Sequence, residues 1–412
     1  MIKILKNQPP PQNRDRQGAA AVAATVIPII EAIRREGDPA LRRYAQQFDN
    51  LADLPLRLTE NELAEAASAM PPNVRQAAEI AIRNIRQFAE AQLPRERFEE
   101  FSPGRKLGWI VRPLEAVGCY VPSGRYPLPS TLLMTAVFAQ TAGVPRIVVA
   151  SPKPSVEILG CAHLLGITEF YRIGGAQAIA AMALGTETIP RVDRIVGPGN
   201  AYVAAAKKLL AGEVGIDFLA GPTEILILAA GGDAKTIAAD MLAQAEHDPS
   251  ATATLITTSS ALAESVSAEI ERQLETLPTA AIARQAIDNA SSIIVVPDME
   301  IAVEYCNQIA PEHLSLHDPS LLPKIRNAGA IFLGANSPEA AGDYASGPSH
   351  VLPTGGAARL RGGLSTADFV KVIAIQSLTP AALSEMAPAI AALARAEGLE
   401  AHARSVEVRS AC

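Results

Sequence analysis

A chain of 412 residues is longer than one hydrophobic core comfortably serves, so more than one domain is expected. With 49% hydrophobic, 19% charged and only 4% aromatic residues, it suits helices packed on buried parallel strands better than an aromatic-rich β-sandwich. A net charge of −7 without any Lys/Arg run argues against nucleic acid, and no stretch approaches the roughly 20 apolar residues of a membrane span. A small-molecule substrate is the default. The N-terminus has no apolar h-region and is not read as a secretory signal. The four cysteines, Cys119, Cys161, Cys306 and Cys412, form no Cys-x-x-Cys pair. That speaks against a thiolate zinc knuckle or a disulfide framework and fits a reducing cytoplasm.

Residues 1–20 are polar and Pro-rich and read as an arm. Helical stretches follow at 19–48, broken near Gly37-Asp-Pro39, and at 60–91, broken near Pro71-Pro72. From about 108 the texture becomes alternating strand and helix: strands at 117–121, 146–150, 170–173 and 194–196, helices at 130–142, 156–165, 176–184 and 200–210. A second series has strands at 224–230, 251–257, 292–296 and 330–333, and helices at 233–246, from about 262, and at 299–309. Each half reads as an incomplete nucleotide-binding-type α/β unit with a parallel sheet. A last helix is expected at 380–396. Cys119, in an apolar strand, reads as a buried small hydrophobe.

Five of the six histidines fall between positions 247 and 402, four of them in segments that also carry a carboxylate or amide. Imidazole, carboxylate and carboxamide are the groups that zinc and proton transfer both require. Behind a good N-cap, Asp233, the helix carries Gln244 and His247 at i, i+3, on one face of its last turn. They suit one ion, or simply a polar helix end with His favouring the C-terminal dipole. Glu312-His313 opens a strand-like run. Neighbours on a strand face opposite ways, so the two read as proton-transfer groups rather than ligands of one metal; an exposed turn is the other reading. His317, before Asp-Pro, reads as a surface residue. Gly342-Asp343-Tyr344 through His350 is too rich in Gly and Pro for a regular element and resembles a site loop. Glu397 and His402 close the long final helix, with Gly398 as its stop. There is no Gly-x-Gly-x-x-Gly. Gly174-Gly-Ala-Gln177 and Gly197-Pro-Gly-Asn200 are strand–glycine–helix turns that would present backbone N–H groups to an anion.

Together with Tyr120-Val-Pro-Ser-Gly-Arg125, Gly221-Pro-Thr-Glu224, Pro311-Glu-His-Leu314 and His350-Val-Leu-Pro-Thr354, these segments resemble the histidinol dehydrogenase family over nearly the whole chain. The resemblance implies an aldehyde-dehydrogenase-like α/β fold: two incomplete Rossmann-like domains related as a duplication, with small N- and C-terminal pieces. An arm at 1–20 would precede a first domain (21–117 plus 224–360) carrying most of the zinc site. A nucleotide-side domain (118–223) and a segment at 361–412 packing on the partner subunit would complete the chain.

It implies one zinc ion per subunit, held by Gln244, His247, Asp343 and His402, and an acid–base pair, Glu312 and His313. Substrate would meet Thr223, Gln244, His247, His313, Asp343, His350, Glu397 and His402. NAD would meet Tyr120, Gln177 and Asn200. The implied reaction is L-histidinol to L-histidine through the aldehyde, with two NAD reduced, in a cytoplasmic homodimer with shared active sites. Departures from the family pattern lie in the 123–129 turn, at Ala89, where His is frequent, and at Thr223, where Ser is frequent. A relative acting on another small alcohol, such as a sulfonated diol, would share the same metal and acid–base set. A carboxylate at Glu397 would repel a sulfonate. A non-enzymatic metal-binding protein should have lost one of these groups, and none is missing.

Overall fold

The structure is a computed structural model that describes residues 2–8, 17–51, 54–124, 126–219 and 221–410. Arg125, Cys412 and much of the expected arm lie outside the described residues. A short strand, β1 (Lys3–Lys6), is followed by helices α1 (Gln17–Glu36), α2 (Asp38–Asp49), α3 (Glu60–Ala69) and α4 (Pro72–Gln92). Gly37, at φ +62°, makes the expected break between α1 and α2. A capping box between Thr59 and Glu62 starts α3. Two strands that the apolar pattern did not reveal come next, β2 (Arg97–Ser102) and β3 (Arg105–Pro113).

The first βα series is β4 (Ala116–Tyr120), α5 (Pro129–Thr141), β5 (Arg146–Ala150), α6 (Val156–Leu164), β6 (Glu169–Tyr171), α7 (Gly175–Leu184), β7 (Arg194–Val196), α8 (Ala201–Leu210) and β8 (Gly215–Ile216). The second is β9 (Glu224–Leu228), α9 (Ala234–Ala245), β10 (Thr252–Thr257), α10 (Ser260–Leu274), α11 (Ala280–Asn289), β11 (Ser292–Val295), α12 (Met299–Ile309), β12 (His313–Leu316) and β13 (Ala330–Leu333). The chain ends with α13 (Glu339–Tyr344), β14 (Val370–Leu378), α14 (Pro380–Ala396) and α15 (Glu400–Ser410).

Both large sheets are parallel, and both run in one order. The first is β6-β5-β4-β7-β8 and the second β11-β10-β9-β12-β13, so each series lays its first three strands one way and its last two the other. That shared order is the mark of a duplicated α/β unit. β1, inside the segment read as an arm, adds an edge strand beside β11, with Ile2 buried next to it. In β9 the two-residue period is plain: Ile225 and Ile227 enter one apolar core, Leu226 and Leu228 the other. A strand buried on both faces needs such a continuous apolar run, and that is why it was legible.

Two compact units result. The larger holds residues 1–92 and 115–369, with both parallel sheets; the smaller joins 93–114 to 370–412. In the smaller, β14, β3 and β2 make an antiparallel sheet, and α14 and α15 form a helical hairpin whose own buried cluster is three alanines, Ala391, Ala394 and Ala403.

Candidate active site

In the larger unit, β9 and β12 lie side by side with His313 paired to Ile225. Their amino ends therefore bring Thr223 and Glu224 against Glu312 and His313. The Glu312 carboxylate is buried and held at Oε2 by the Thr223 hydroxyl (2.6 Å) and the Glu224 N–H (2.8 Å). Burial raises its pKa above the ordinary carboxylate range, ahead of the opposing pull of His313. Glu312 sits one residue before β12 begins, outside the pleat, so strand alternation does not separate it from His313: Oε2 and the His313 Nδ1 are 3.6 Å apart. The expectation that the two face opposite ways fails for that reason.

His313 Nδ1 faces the Glu224 carbonyl at 3.2 Å, which fixes a proton on Nδ1 and gives Nε2 the lone pair of the neutral ring. Nε2 is buried without a hydrogen-bond partner, 3.5 Å from Asp343 Oδ1. Burial pulls this imidazole down, but the charges of Glu312, Asp343 and Glu339 outweigh it and push the pKa up to about 10. A bound cation among those carboxylates would act in the opposite sense.

Asp233 caps α9 as expected, and Gln244 ends the helix fully buried. The carboxamide orientation that satisfies both its ends turns Nε2 to the Glu339 carboxylate (3.1 and 3.3 Å) and Oε1 to the Glu224 N–H (3.0 Å) and Thr223 Oγ1 (2.6 Å). Thr223 thus bridges Gln244 and Glu312, its one hydroxyl proton serving one of them at a time. His247, just past the helix end, faces the Ala243 carbonyl with Nδ1 at 2.9 Å. Its Nε2 is left with the lone pair, as in a histidine poised to ligate a metal. Asp343 keeps an ionised carboxylate: burial opposes this, but His313, His350 and His247 lower its pKa.

Asp343 does not sit in an irregular loop. It lies in the last turn of α13, which packs so closely on β13 that a Cβ on Gly342 would stand 2.5 Å from Phe332. The glycine that argued against a helix is what lets this helix approach. His350 is tied back to the same helix, Nδ1 to the Asp343 carbonyl at 2.8 Å and Nε2 to Thr131 Oγ1 at 3.3 Å. His317 is half-buried rather than a surface residue.

Sequence reading passed over Glu339 and Glu224. Glu339 is buried, with its pKa well above the usual range through burial and the charges around it. Glu224 takes the Gly355 N–H at 3.0 Å and is pushed to about 7 by burial and by Glu312. The cue for Glu224 was its place directly after Thr223; Glu339 offered none.

The other sheet presents its carboxyl edge. Its order reverses between β4 and β7, where ligands bind in open α/β sheets. Tyr120 ends β4, and Gly197 follows β7 at φ +110°; a Cβ there would lie 2.1 Å from the Tyr120 carbonyl oxygen. Only glycine permits that approach. Asn200 is exposed and caps α8 with its oxygen on the N–H groups of Tyr202 and Val203. Tyr120 and Gln177 are only 3% and 2% exposed, forming a floor rather than a rim. The turn after β4 reaches the cluster at the β9–β12 sheet: Tyr126 Oη donates to the Glu246 carbonyl, one residue from His247, at 3.4 Å.

Glu397 and His402 belong to the smaller unit, and both are exposed. Glu397 caps α14, Gly398 stops that helix at φ +77°, and His402 lies in the next helix, α15, not at the end of α14. Among the described residues no three His, Cys, Asp or Glu side chains gather to hold a metal by themselves. Cys119, Cys161 and Cys306 are buried thiols whose pKa burial pushes up to about 12, so none is poised as a nucleophile.

A duplicated α/β unit with a reversal point at one sheet and a buried carboxylate–imidazole pair at the other defines an enzyme of the dehydrogenase class. The histidinol dehydrogenase family matches residues 12–410. The histidinol dehydrogenase of Rhizobium meliloti (strain 1021) is 48% identical over 404 residues, 96% of this chain and 93% of that one. That of Thermus thermophilus is 49% identical over 388 residues, 92% and 93% of the two. The crystal structure of histidinol dehydrogenase from Elizabethkingia anophelis superposes with a TM-score of 0.94 at 36% identity, covering 99% of this chain and 98% of that one. A putative methylmalonate-semialdehyde dehydrogenase from Sinorhizobium meliloti 1021, 10% identical at a TM-score of 0.50 over 88% and 86% of the chains, shares the fold alone. This chain belongs to the histidinol dehydrogenase family. It is an oxidoreductase of histidine biosynthesis whose reaction is the last step of that pathway.

Proposed function

We propose that the chain oxidises L-histidinol to L-histidine through the bound aldehyde, using zinc and two NAD, and that Glu312 and His313 move the protons. The observation that carries this reading is the buried pair itself, with His313 Nε2 left without a partner beside Asp343. Gln244, His247 and Asp343 would hold zinc, with His402 as a fourth ligand; the His247 tautomer and the ionised Asp343 suit that task. When bound, zinc would supply a Lewis acid that holds the substrate and polarises its oxygen. NAD, at the edge bearing Tyr120, Gln177 and Asn200, would take the hydride.

In its neutral form, with the proton on Nδ1, His313 takes the alcohol proton at Nε2 during the first oxidation, and a cation among the neighbouring carboxylates would favour that form. Glu312, its carboxylate fixed by Thr223 and Glu224, takes a proton from the water that adds to the aldehyde. Alcohol to acid is a four-electron oxidation, so one histidinol, one water and two NAD+ would yield histidine, two NADH and the released protons. Thr223, His350 and Glu397 complete the substrate surroundings.

A homodimer with shared sites fits the smaller unit. Its own core is three alanines, yet Phe101, Val372, Leu393 and Val408 are each more than half exposed. His402 and Glu397 on that unit would then serve the partner's site. Buried free thiols agree with a cytoplasmic enzyme.

The test is purified enzyme with its zinc content measured, given L-histidinol beside a panel of diols and amino alcohols. Two NADH per histidinol, lost on chelation and restored by zinc, are expected. Turnover confined to an anionic diol, or unaffected by metal removal, would overturn the reading.

A further inference from the structure

Asp49 ends α2, where Asn50 at φ +57° turns the chain away. It is a carboxylate with 7% exposure, and one oxygen, Oδ2, takes two bonds: the Gly174 N–H at 3.3 Å and Gln177 Nε2 at 3.1 Å. Gly174 is the N-cap of α7 and has no side chain to cap it. Asp49 thus supplies from another helix the acceptor and negative charge that the start of α7 needs. A helix start that could otherwise receive an anion is filled by the protein's own carboxylate.

Two consequences follow for the turn. The Gln177 carboxamide is fixed in direction, with Nε2 on Asp49 and Oε1 over Gly175, where a Cβ would stand 2.8 Å from that oxygen. Gly175, at φ +63°, gives its N–H to the Tyr120 hydroxyl at 3.1 Å, so the Tyr120 O–H is left as a donor. The turn therefore offers one acceptor and one donor, a set for a neutral hydroxyl or amide rather than a phosphate.

We infer that Asp49 is a positioning residue for the nucleotide, holding the Gly174-Gly175 turn and the Gln177 carboxamide in the orientation that receives an uncharged part of the cofactor. The inference rests on the reading that NAD occupies this edge.

Its test is NADH titration by fluorescence on the zinc-loaded enzyme. Asp49→Leu keeps bulk without an acceptor, and Asp49→Ser is too short to reach either partner but adds no apolar group. Each is expected to raise the NADH Kd about tenfold, the worth of one buried hydrogen-bond acceptor. Zinc content and the KM for histidinol should not move. Asp49→Asn, whose single oxygen still receives both donors, should return the Kd to within about twofold of wild type. Wild-type Kd in both the Leu and Ser variants, no rescue by Asn, or a parallel rise in the KM for histidinol would overturn the inference. Gln177→Leu and Asn200→Ala separate the two levels. If neither weakens NADH binding, the location of NAD is wrong; if both do while the Asp49 variants do not, only the role of Asp49 is.

Discussion

Glu312 and His313 are neighbours in the chain with different electrostatic tasks. Glu312 has its carboxylate fixed by a hydroxyl and an N–H, while His313 has one nitrogen tied to a carbonyl and the other open. Glu312→Gln keeps the shape and removes the proposed base. Single-turnover stopped-flow should show aldehyde oxidation slowed about 10²- to 10⁴-fold, the span of general-base catalysis, with hydride transfer from the alcohol changed much less. Equal slowing of both steps would contradict the division of labour. These two residues were legible because they are adjacent and chemically unusual together. Glu339 and Asp49 were not: each is a lone carboxylate whose partner, Gln244 or Gln177, lies far along the chain. No local pattern marks such a residue; only folding brings it to its partner.

At the scale of elements, the proposed site draws on the amino edge of one sheet and the carboxyl edge of the other. Most strands and helices of both series, β8 and α11 excepted, were readable from the sequence because continuous apolar runs and helical periodicity are local signals. β2, β3 and β14 escaped: β2 is exposed along its length, and β3 finds one neighbour, β14, only beyond residue 369. What holds the Gly197 turn was likewise hidden. Lys207 reaches from α8 to the Gly197 carbonyl (2.5 Å) and to Asp217 (2.7 Å), whose other oxygen takes the Gly197 N–H at 2.7 Å. Both side chains are buried, at 3% and 0% exposure. Lys207→Met would strand a buried carboxylate, so it should cost about 3–5 kcal/mol of stability in equilibrium denaturation. A loss under about 1 kcal/mol, as for an exposed pair, would mean that water reaches Asp217.

For the whole molecule, the proposed dimer turns on whose His402 would complete a given site. The sequence revealed a ligand-like histidine on a short terminal segment but could not say that residues 93–114 would join that segment in one unit, since pairing β3 with β14 is a tertiary event. Glu312→Gln and His402→Asn are each expected to be nearly inactive alone. Mixed, unfolded and refolded together, random pairing makes half the dimers hybrid. In a hybrid with shared sites, one site collects both substitutions and the other is wild type, so about a quarter of wild-type activity should return. If each site is built from a single chain, every site in the mixture carries one lesion and nothing is restored. Sedimentation velocity on the same samples must show dimers; recovered activity in a monomeric fraction would contradict a shared site as surely as no recovery at all.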